Sequence, residues 1–293
     1  MKKIKKHINV LLELAKVRIT FFVAVTTSIG YLFYSKNLSI QLLVLTTGVF
    51  LLASGSSALN HYQEKETDAL MLRTKSRPIP SGKISAQLAL LFAFILVLFG
   101  SAIIYFSSNF ISLLLGWLAL IWYNFIYTPL KKVNALAVVP GSLIGAIPPV
   151  IGWTAAGGGP LDFEIIALAL FFFIWQIPHF WLLLLIYSND YERAGFPTLT
   201  RIFSNQQLSR ITYVWIAALS TWCLLIPAIE ITANKITVFV LCLLGILLLW
   251  KTKGILSRYI ERRIFRNAFI SINLYVLAVI LSLSLDKLFL QEL

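Results

Sequence analysis

The sequence is poor in charged residues. They make up 13% of its 293 positions, and hydrophobic residues make up 59%. Soluble domains carry about 25% charged and about 45–50% apolar residues. This composition excludes a chain built around one water-soluble core and indicates a membrane protein.

Cysteine is also scarce. The two that occur, Cys223 and Cys242, lie within apolar runs and form no CxxC or CxxCH pattern. Neither a disulfide framework, a zinc site nor covalently attached haem is therefore expected.

Long hydrophobic runs are abundant, and each approaches the about 20 residues that a membrane-spanning helix needs. Because hydrocarbon offers backbone groups no hydrogen-bond partner, such runs are expected to be helical. The sequence therefore predicts an all-α polytopic protein with one transmembrane domain over 1–293, which includes a basic arm over 1–17. The nine predicted spans are 18–35, 41–59, 86–106, 109–128, 135–153, 162–187, 211–231, 235–251 and 267–286.

The net charge of +13 follows the predicted topology. With the N-terminus in the cytoplasm, 22 of the 25 Lys and Arg fall on the cytoplasmic side, and only Lys36, Lys235 and Lys287 do not. This is the positive-inside pattern, and with nine spans it places the C-terminus on the opposite side. The basic excess thus indicates topology and attraction to lipid headgroups and phosphate, so nucleic-acid binding is not expected.

Two long loops, 60–85 and 188–210, fall on the same predicted side. Together they contain five of the twelve acidic residues. Long loops usually carry function. The sequence therefore predicts an active face on the cytoplasmic side.

In the first loop, Asn60, Glu64 and Asp68 are spaced four residues apart, which places them on one face of a continuing helix. Oxygen ligands of this kind suit Mg²⁺, which proteins usually hold with one or two carboxylates plus substrate phosphate. The alternative is a solvated helix end whose carboxylates pair with Lys65 and Arg73.

Three cations, Arg73, Lys75 and Arg77, follow this row and precede the turn Pro78-Ile79-Pro80-Ser81-Gly82. Cations beside metal-binding carboxylates form a site for a polyphosphate, because Arg and the metal contact different phosphate oxygens. The alternative is that the three cations only follow the positive-inside pattern. Tyr127 and Lys131 end the fourth span, where aromatic belts and basic residues are also routine.

The second loop offers Asn189 and Asp190 as another oxygen cluster. His179 lies about 16 Å further into the span at 1.5 Å per helical residue. An ionisable residue inside a span is by default functional, and a contact with a large substrate is one interpretation. A neutral histidine bonded to a neighbouring helix is the other, and the sequence does not separate them.

Several segments resemble the UbiA-type intramembrane prenyltransferases: NxxxExxxD, RTKSRPIPSG, YTPLKK, AIPPVIGW, WQIPHFW and DYERAGFP. The last three resemble the branch that modifies haem. The resemblance implies a nine-helix bundle around a membrane-open cavity in the cell (inner) membrane. It also implies transfer of a farnesyl group from farnesyl diphosphate to the vinyl group of protohaem IX (haem B). Mg²⁺ is then the cofactor and haem a substrate, and a haem A synthase or oxidase assembly proteins are possible partners.

Residue roles follow from the same resemblance. The implied metal ligands are Asn60, Glu64, Asp68 and Asp190. The implied diphosphate contacts are Arg73, Arg77 and Lys131, and His179 is the implied contact for the porphyrin. Tyr127, Asn189 and Tyr191, at the predicted active face, are further candidates for substrate contact. The sequence departs from the family pattern at His61 and Glu64, where Asp is usual, and at Thr198 and Thr200.

Two alternatives remain. A relative that prenylates a quinone or chlorophyll precursor would share the diphosphate residues and differ only in its acceptor. A transporter is the second, but it would need polar groups near the membrane midplane, and the acidic residues here cluster at one face.

Overall fold

The computed structural model describes residues 2–225, 234–257 and 261–290, and within these ranges it contains helices and no strand. The α-helices are α1 (Lys2–Leu14), α2 (Val17–Ser35), α3 (Ile40–Gln63), α4 (Lys65–Leu70), α5 (Ala86–Ser107), α6 (Phe110–Ile121), α7 (Thr128–Leu130), α8 (Val138–Gly141), α9 (Leu143–Ala155), α10 (Phe163–Arg193), α11 (Asn205–Leu225), α12 (Lys235–Thr252) and α13 (Arg262–Leu285). Two π-helical segments, Trp122–Tyr127 and Asp286–Leu290, adjoin α6 and α13, and two 3₁₀ turns occupy Leu199–Arg201 and Lys253–Leu256.

Eight helical segments of the described chain are long and apolar enough to cross a membrane. They match the predicted runs other than 211–231. That run begins inside α11, and its last residues, 226–231, lie outside the described residues. With α11 counted, the described helices confirm the predicted all-α fold of about nine membrane helices.

Successive membrane helices run in opposite directions. The end of the bundle that carries the long loops and most basic residues is called here the basic end. At the opposite end, the start of α3 meets the end of α5, where Gln41 donates to the carbonyl oxygen of Ser107 at 2.8 Å. The start of α12 likewise meets the end of α13, where Thr237 donates to Asp286 at 2.7 Å.

The crossing helices form a closed arrangement in two halves. In the first half, α2 packs on α3 and α9, α3 on α5, and α6 on α9. In the second half, α10 packs on α11 and α13, and α12 packs between them. The halves meet where α10 contacts α9 and α13 contacts α2.

Helices α2 and α9 approach each other at backbone distance. A Cβ at Gly30 would collide with the carbonyl oxygen of Pro149, and one at Gly152 with that of Thr27. Small residues permit such approach in membranes, where packing rather than hydrophobicity holds helices together. The predicted span 135–153 is divided between α8 and α9 at Ser142.

Helix α10 is the longest element, with 31 residues. At 1.5 Å per residue it extends about 46 Å, beyond the ≈ 30 Å of the hydrocarbon core. Its backbone leaves helical geometry at Tyr187, where φ is −124° and ψ is 22°. The segment after Tyr187 therefore reaches the basic end in a changed direction.

Candidate active site

The predicted row of oxygen ligands keeps its helical spacing. Helix α3 ends at Gln63 and α4 begins at Lys65, yet Glu64 donates its N–H to the carbonyl oxygen of Asn60 at 3.0 Å. Asp68 in turn donates to the carbonyl oxygen of Glu64 at 2.7 Å. All three side chains of the row are buried, with exposed fractions of 5% or less.

Each carboxylate of the row is paired with a basic side chain. Lys131 Nζ lies 2.5 Å from Glu64 Oε1. Burial alone would raise the pKa of Glu64, but the charge of Lys131 outweighs it and holds that pKa below its usual value. Burial would lower the pKa of Lys131, and the Glu64 carboxylate raises it instead. Both groups are therefore charged at neutral pH.

Asp68 is fully buried and forms a two-point contact with Arg77. Arg77 Nη1 donates to Oδ1 at 2.8 Å and to Oδ2 at 2.7 Å. Thr74 fixes the same turn by donating to the backbone oxygen of Asp68 at 2.9 Å. The carboxylates therefore pair with Lys131 and Arg77, and not with Lys65 and Arg73 as in the alternative interpretation. The Lys65 ammonium lies over the ring of Tyr62.

Asn60 contacts a cation that sequence reasoning did not select. Lys16 stands at the break between α1 and α2, in left-handed conformation with φ of 47°. Its Nζ donates to Asn60 Oδ1 at 2.8 Å and lies 3.5 Å from the hydroxyl of Tyr123. Burial, reinforced by the charge of Arg77, lowers the pKa of Lys16 to about 7.

The π-helical segment positions the fourth span against the row. Asn124 within it donates to the backbone oxygen of Ser56 at 3.0 Å and exchanges hydrogen bonds with Gln63. Thr128 accepts from Asn60 Nδ2 at 3.1 Å. π-helical turns are often found at functional sites, and here the widened turn brings Tyr127 and Lys131 to the carboxylates.

The second loop meets the first. Asp190 Oδ2 accepts the backbone N–H of Arg73 at 3.3 Å. The guanidinium groups of Arg73 and Arg262 lie 5.3 and 5.2 Å from the ring centre of Tyr187. The two predicted loops therefore share one end of the bundle.

Other residues of the second loop surround this contact. Lys131 Nζ lies 5.9 Å from the ring centre of Phe196, which packs edge-on against Tyr191. Asn189 is exposed. Thr200 donates to Glu192 at 3.1 Å, so the unusual threonine has a structural partner within the loop.

An aromatic series leads from the basic end into the bundle. Tyr123 and Tyr127 stack with centroids 6.1 Å apart, and Tyr127 contacts Phe180 at 6.3 Å. Phe180 in turn contacts the ring of His179 at 5.3 Å. His179 Nδ1 lies 3.0 Å from Asn273 Oδ1 on α13, so the bond to a neighbouring helix, one of two interpretations of this histidine, is present.

The donor set fits Mg²⁺ only together with an anionic substrate. Among the described residues, no three His, Cys, Asp or Glu side chains form a metal-binding group. Mg²⁺ requires fewer, since it takes one or two carboxylates and completes its shell with phosphate and water. Glu64 and Asp68 supply such oxygens, and their partners Lys131 and Arg77 are phosphate-binding side chains that an anionic substrate can recruit.

Comparison with known proteins gives relatives along most of the chain. A protoheme IX farnesyltransferase from Geobacter sulfurreducens is 42% identical over 192 residues, which cover 66% of this chain and 71% of the relative. One from Oleidesulfovibrio alaskensis is 31% identical and covers 94% of this chain and 95% of its own.

Solved structures share the fold at low identity. A structure described as digeranylgeranylglyceryl phosphate synthase has a TM-score of 0.78 at 17% identity, covering 98% of this chain and 99% of the other. A UbiA homolog from Archaeoglobus fulgidus bound to GPP and Mg²⁺ has a TM-score of 0.65 at 16% identity, covering 94% of this chain and 99% of the other. The UbiA prenyltransferase family profile matches residues 23–273, and the chain belongs to this family.

Proposed function

We propose that this protein transfers a farnesyl group from farnesyl diphosphate to the vinyl group of protohaem IX, giving haem O. The hydrogen bond from the backbone N–H of Arg73 to Asp190 Oδ2, at 3.3 Å, carries the proposal, because it joins the two loops around one cluster of acidic and basic side chains. The relatives named protoheme IX farnesyltransferase support the acceptor.

Diphosphate binds by exchange of ion-pair partners. In the protein alone, Lys131 neutralises Glu64 and Arg77 neutralises Asp68. When the diphosphate enters, these two cations and Arg73 turn to its oxygens, and charge-assisted contacts of this kind are strong. The carboxylates are then left with unpaired negative charge beside the phosphate, which is the electrostatic condition for a bound divalent cation.

Asn60, Glu64, Asp68 and Asp190 would hold Mg²⁺, which supplies Lewis-acid stabilisation of the departing diphosphate. Lys131 and Arg77 stabilise the same developing charge as the C–O bond breaks. The stacked rings of Tyr123 and Tyr127 present π-faces that stabilise an allylic cation and exclude water from it. No side-chain nucleophile is required.

The acceptor occupies the aromatic interior. His179, about three helical turns from Asp190, contacts the porphyrin, while Asn189 and Tyr191 border the substrate at the basic end. The charge asymmetry of the loops supports a cytoplasmic position for the basic end and the N-terminus. The cell (inner) membrane is the proposed location. Delivery of the product to a haem A synthase or oxidase assembly stays a prediction.

The test is conversion of haem by purified protein carrying Asp68→Ala. We expect loss of at least about 100-fold in kcat/KM, which corresponds to about 2.7 kcal/mol of transition-state stabilisation. Glu66→Ala, an exposed acid on the same short helix, is the matched control. Near-wild-type conversion by the Asp68 variant would show that the proposed role of Asp68 as a metal ligand is wrong. Supplying haem and 4-hydroxybenzoate separately with labelled prenyl diphosphate distinguishes the haem reaction from quinone-precursor prenylation.

A further inference from the structure

The His179–Asn273 pair joins two membrane-spanning helices by polar side chains. Nδ1 of His179 on α10 lies 3.0 Å from Oδ1 of Asn273 on α13. Polar groups are expensive inside a membrane and usually serve a function. The bond holds the imidazole, but it engages only one of the two ring nitrogens.

The orientation of the Asn273 amide is determined by its own helix. Its Nδ2 donates to the backbone oxygen of Phe269 at 2.5 Å. The reversed amide would place Oδ1 against that carbonyl oxygen, and two acceptors repel each other. Oδ1 therefore faces His179 and accepts its hydrogen bond.

This orientation selects one tautomer of the imidazole. Since Oδ1 only accepts, Nδ1 must carry the proton, and in a neutral histidine Nε2 then carries the lone pair. Nε2 makes no hydrogen bond in the described part of the chain and is not among its fully buried unpaired atoms, so it keeps some exposed surface. Metal-binding histidines typically have this arrangement, with the second nitrogen donating to an oxygen acceptor.

The surroundings of the imidazole suit a flat apolar ligand. Its ring contacts Trp175, Phe180 and Phe269 at centroid distances of 5.0, 5.3 and 4.8 Å. Phe180 also contacts Tyr127, whose ring centre lies 5.4 Å from Lys131 Nζ. The rings of Phe180 and Tyr127 therefore connect the position of a ligand on Nε2 with the charged cluster.

We propose that Nε2 of His179 is the axial ligand to the iron of the porphyrin acceptor, and that Asn273 is the positioning residue that holds the competent tautomer. The inference rests on the proposed function, because the porphyrin is its acceptor. The Nε2 lone pair forms the bond to a vacant axial position of the iron. No proton leaves and no electron is transferred.

The experiment titrates the full chain in lipid nanodiscs with protohaem and records absorption spectra in the ferric and ferrous states. We expect a histidine-ligated spectrum for wild type. His179→Ala should lose it and bind protohaem at least about 10-fold more weakly, and added imidazole should restore the spectrum. Asn273→Ala should weaken binding by about 10-fold, as expected for loss of a partner that orients a metal ligand. Asn267→Ala, an exposed position on the same helix, should match wild type.

Iron-free protoporphyrin IX separates ligation from packing. It should bind wild type and His179→Ala equally, and an equal loss of both porphyrins in the variant would overturn the inference. An unchanged haem spectrum in His179→Ala would also overturn it. Asn273→Ala keeps the ligand in place and provides a second reading where the histidine variant does not fold.

Prenyl transfer by the same samples distinguishes the two failures. If wild type converts haem but the spectrum does not depend on His179, the iron-ligand inference is wrong and the proposed function stands. If the spectrum is histidine-ligated but haem is not converted, the iron site is supported and the proposed function is wrong.

Discussion

Replacing Arg77 with Met would leave the Asp68 carboxylate without its counter-ion. The side chain of Asp68 is 0% exposed and that of Arg77 is 20% exposed. Arg77 Nη1 lies 2.8 Å from Asp68 Oδ1 and 2.7 Å from Oδ2. Removing one member of a buried pair costs about 3–5 kcal/mol, because the remaining charge is desolvated and unpaired. The partial exposure of Arg77 places the expected loss near the lower limit, at about 3 kcal/mol.

The measurement is the free energy of unfolding by steric trapping in bicelles. The double variant Asp68→Asn with Arg77→Met should recover most of the loss, because a neutral amide needs no counter-ion. Lys83→Met is the matched control: its Nζ lies 4.0 Å from Glu13, with side chains 39% and 45% exposed. Exposed pairs contribute about 0–1 kcal/mol, so this variant should stay close to wild type.

Activity provides an independent reading of the same variants. The double variant should regain stability but not prenyl transfer, since both side chains are proposed to act on the diphosphate. A folded Arg77→Met protein within about 1 kcal/mol of wild type would refute the reasoning, because a buried charge left unpaired costs more than that.

Two further predictions concern groups outside this pair. Burial holds the pKa of Lys16 at about 7, below its usual value. Between pH 7 and 10, Lys16 is protonated in the unfolded chain but not in the folded chain, so this group makes the free energy of unfolding rise with pH. The thermal midpoint of wild type relative to Lys16→Met should therefore increase over that range, and a constant difference would contradict it. Gly152→Ala should destabilise by at least about 1–3 kcal/mol, since the added Cβ meets the backbone of α2, which cannot yield as a side chain does. Gly254→Ala, with its nearest neighbour at 3.5 Å, is the control, and equal thermal midpoints for the two would contradict the packing argument.

Helix number was predictable because hydrocarbon leaves the backbone few choices. Apolar length alone identifies a span, and eight described helices match predicted runs. The break at Lys16 was not predictable in this way. A left-handed residue between two helices has no strong signal when it is not glycine or asparagine.

The carboxylate row was predictable from its spacing, but its partners were not. Periodicity describes one helix, whereas Lys131 and Glu64 lie on different elements. By sequence Lys16 is one of many residues of the positive-inside pattern, whereas in the structure its Nζ donates to Asn60 Oδ1 at 2.8 Å. Positive charge near a membrane surface is too common to single out one residue.

His179 illustrates what sequence reasoning leaves open. Its two interpretations, a bond to a neighbouring helix and a contact with substrate, are compatible, because each concerns a different ring nitrogen. The available signal for its partner was the polar residue Asn273 inside an apolar run. The argument that singled out His179, the cost of a polar group in a membrane, applies to Asn273 as well.

The long helix α10 carries both His179 and Asp190 on one stretch of backbone. Their relative orientation is therefore set by residue count, and inserting a single residue between them would rotate one by about 100° against the other. Tyr187 lies between them at the point of altered geometry. Under the proposed function, eleven consecutive peptide bonds therefore set how the acceptor is oriented relative to the diphosphate, with a bend near the basic end.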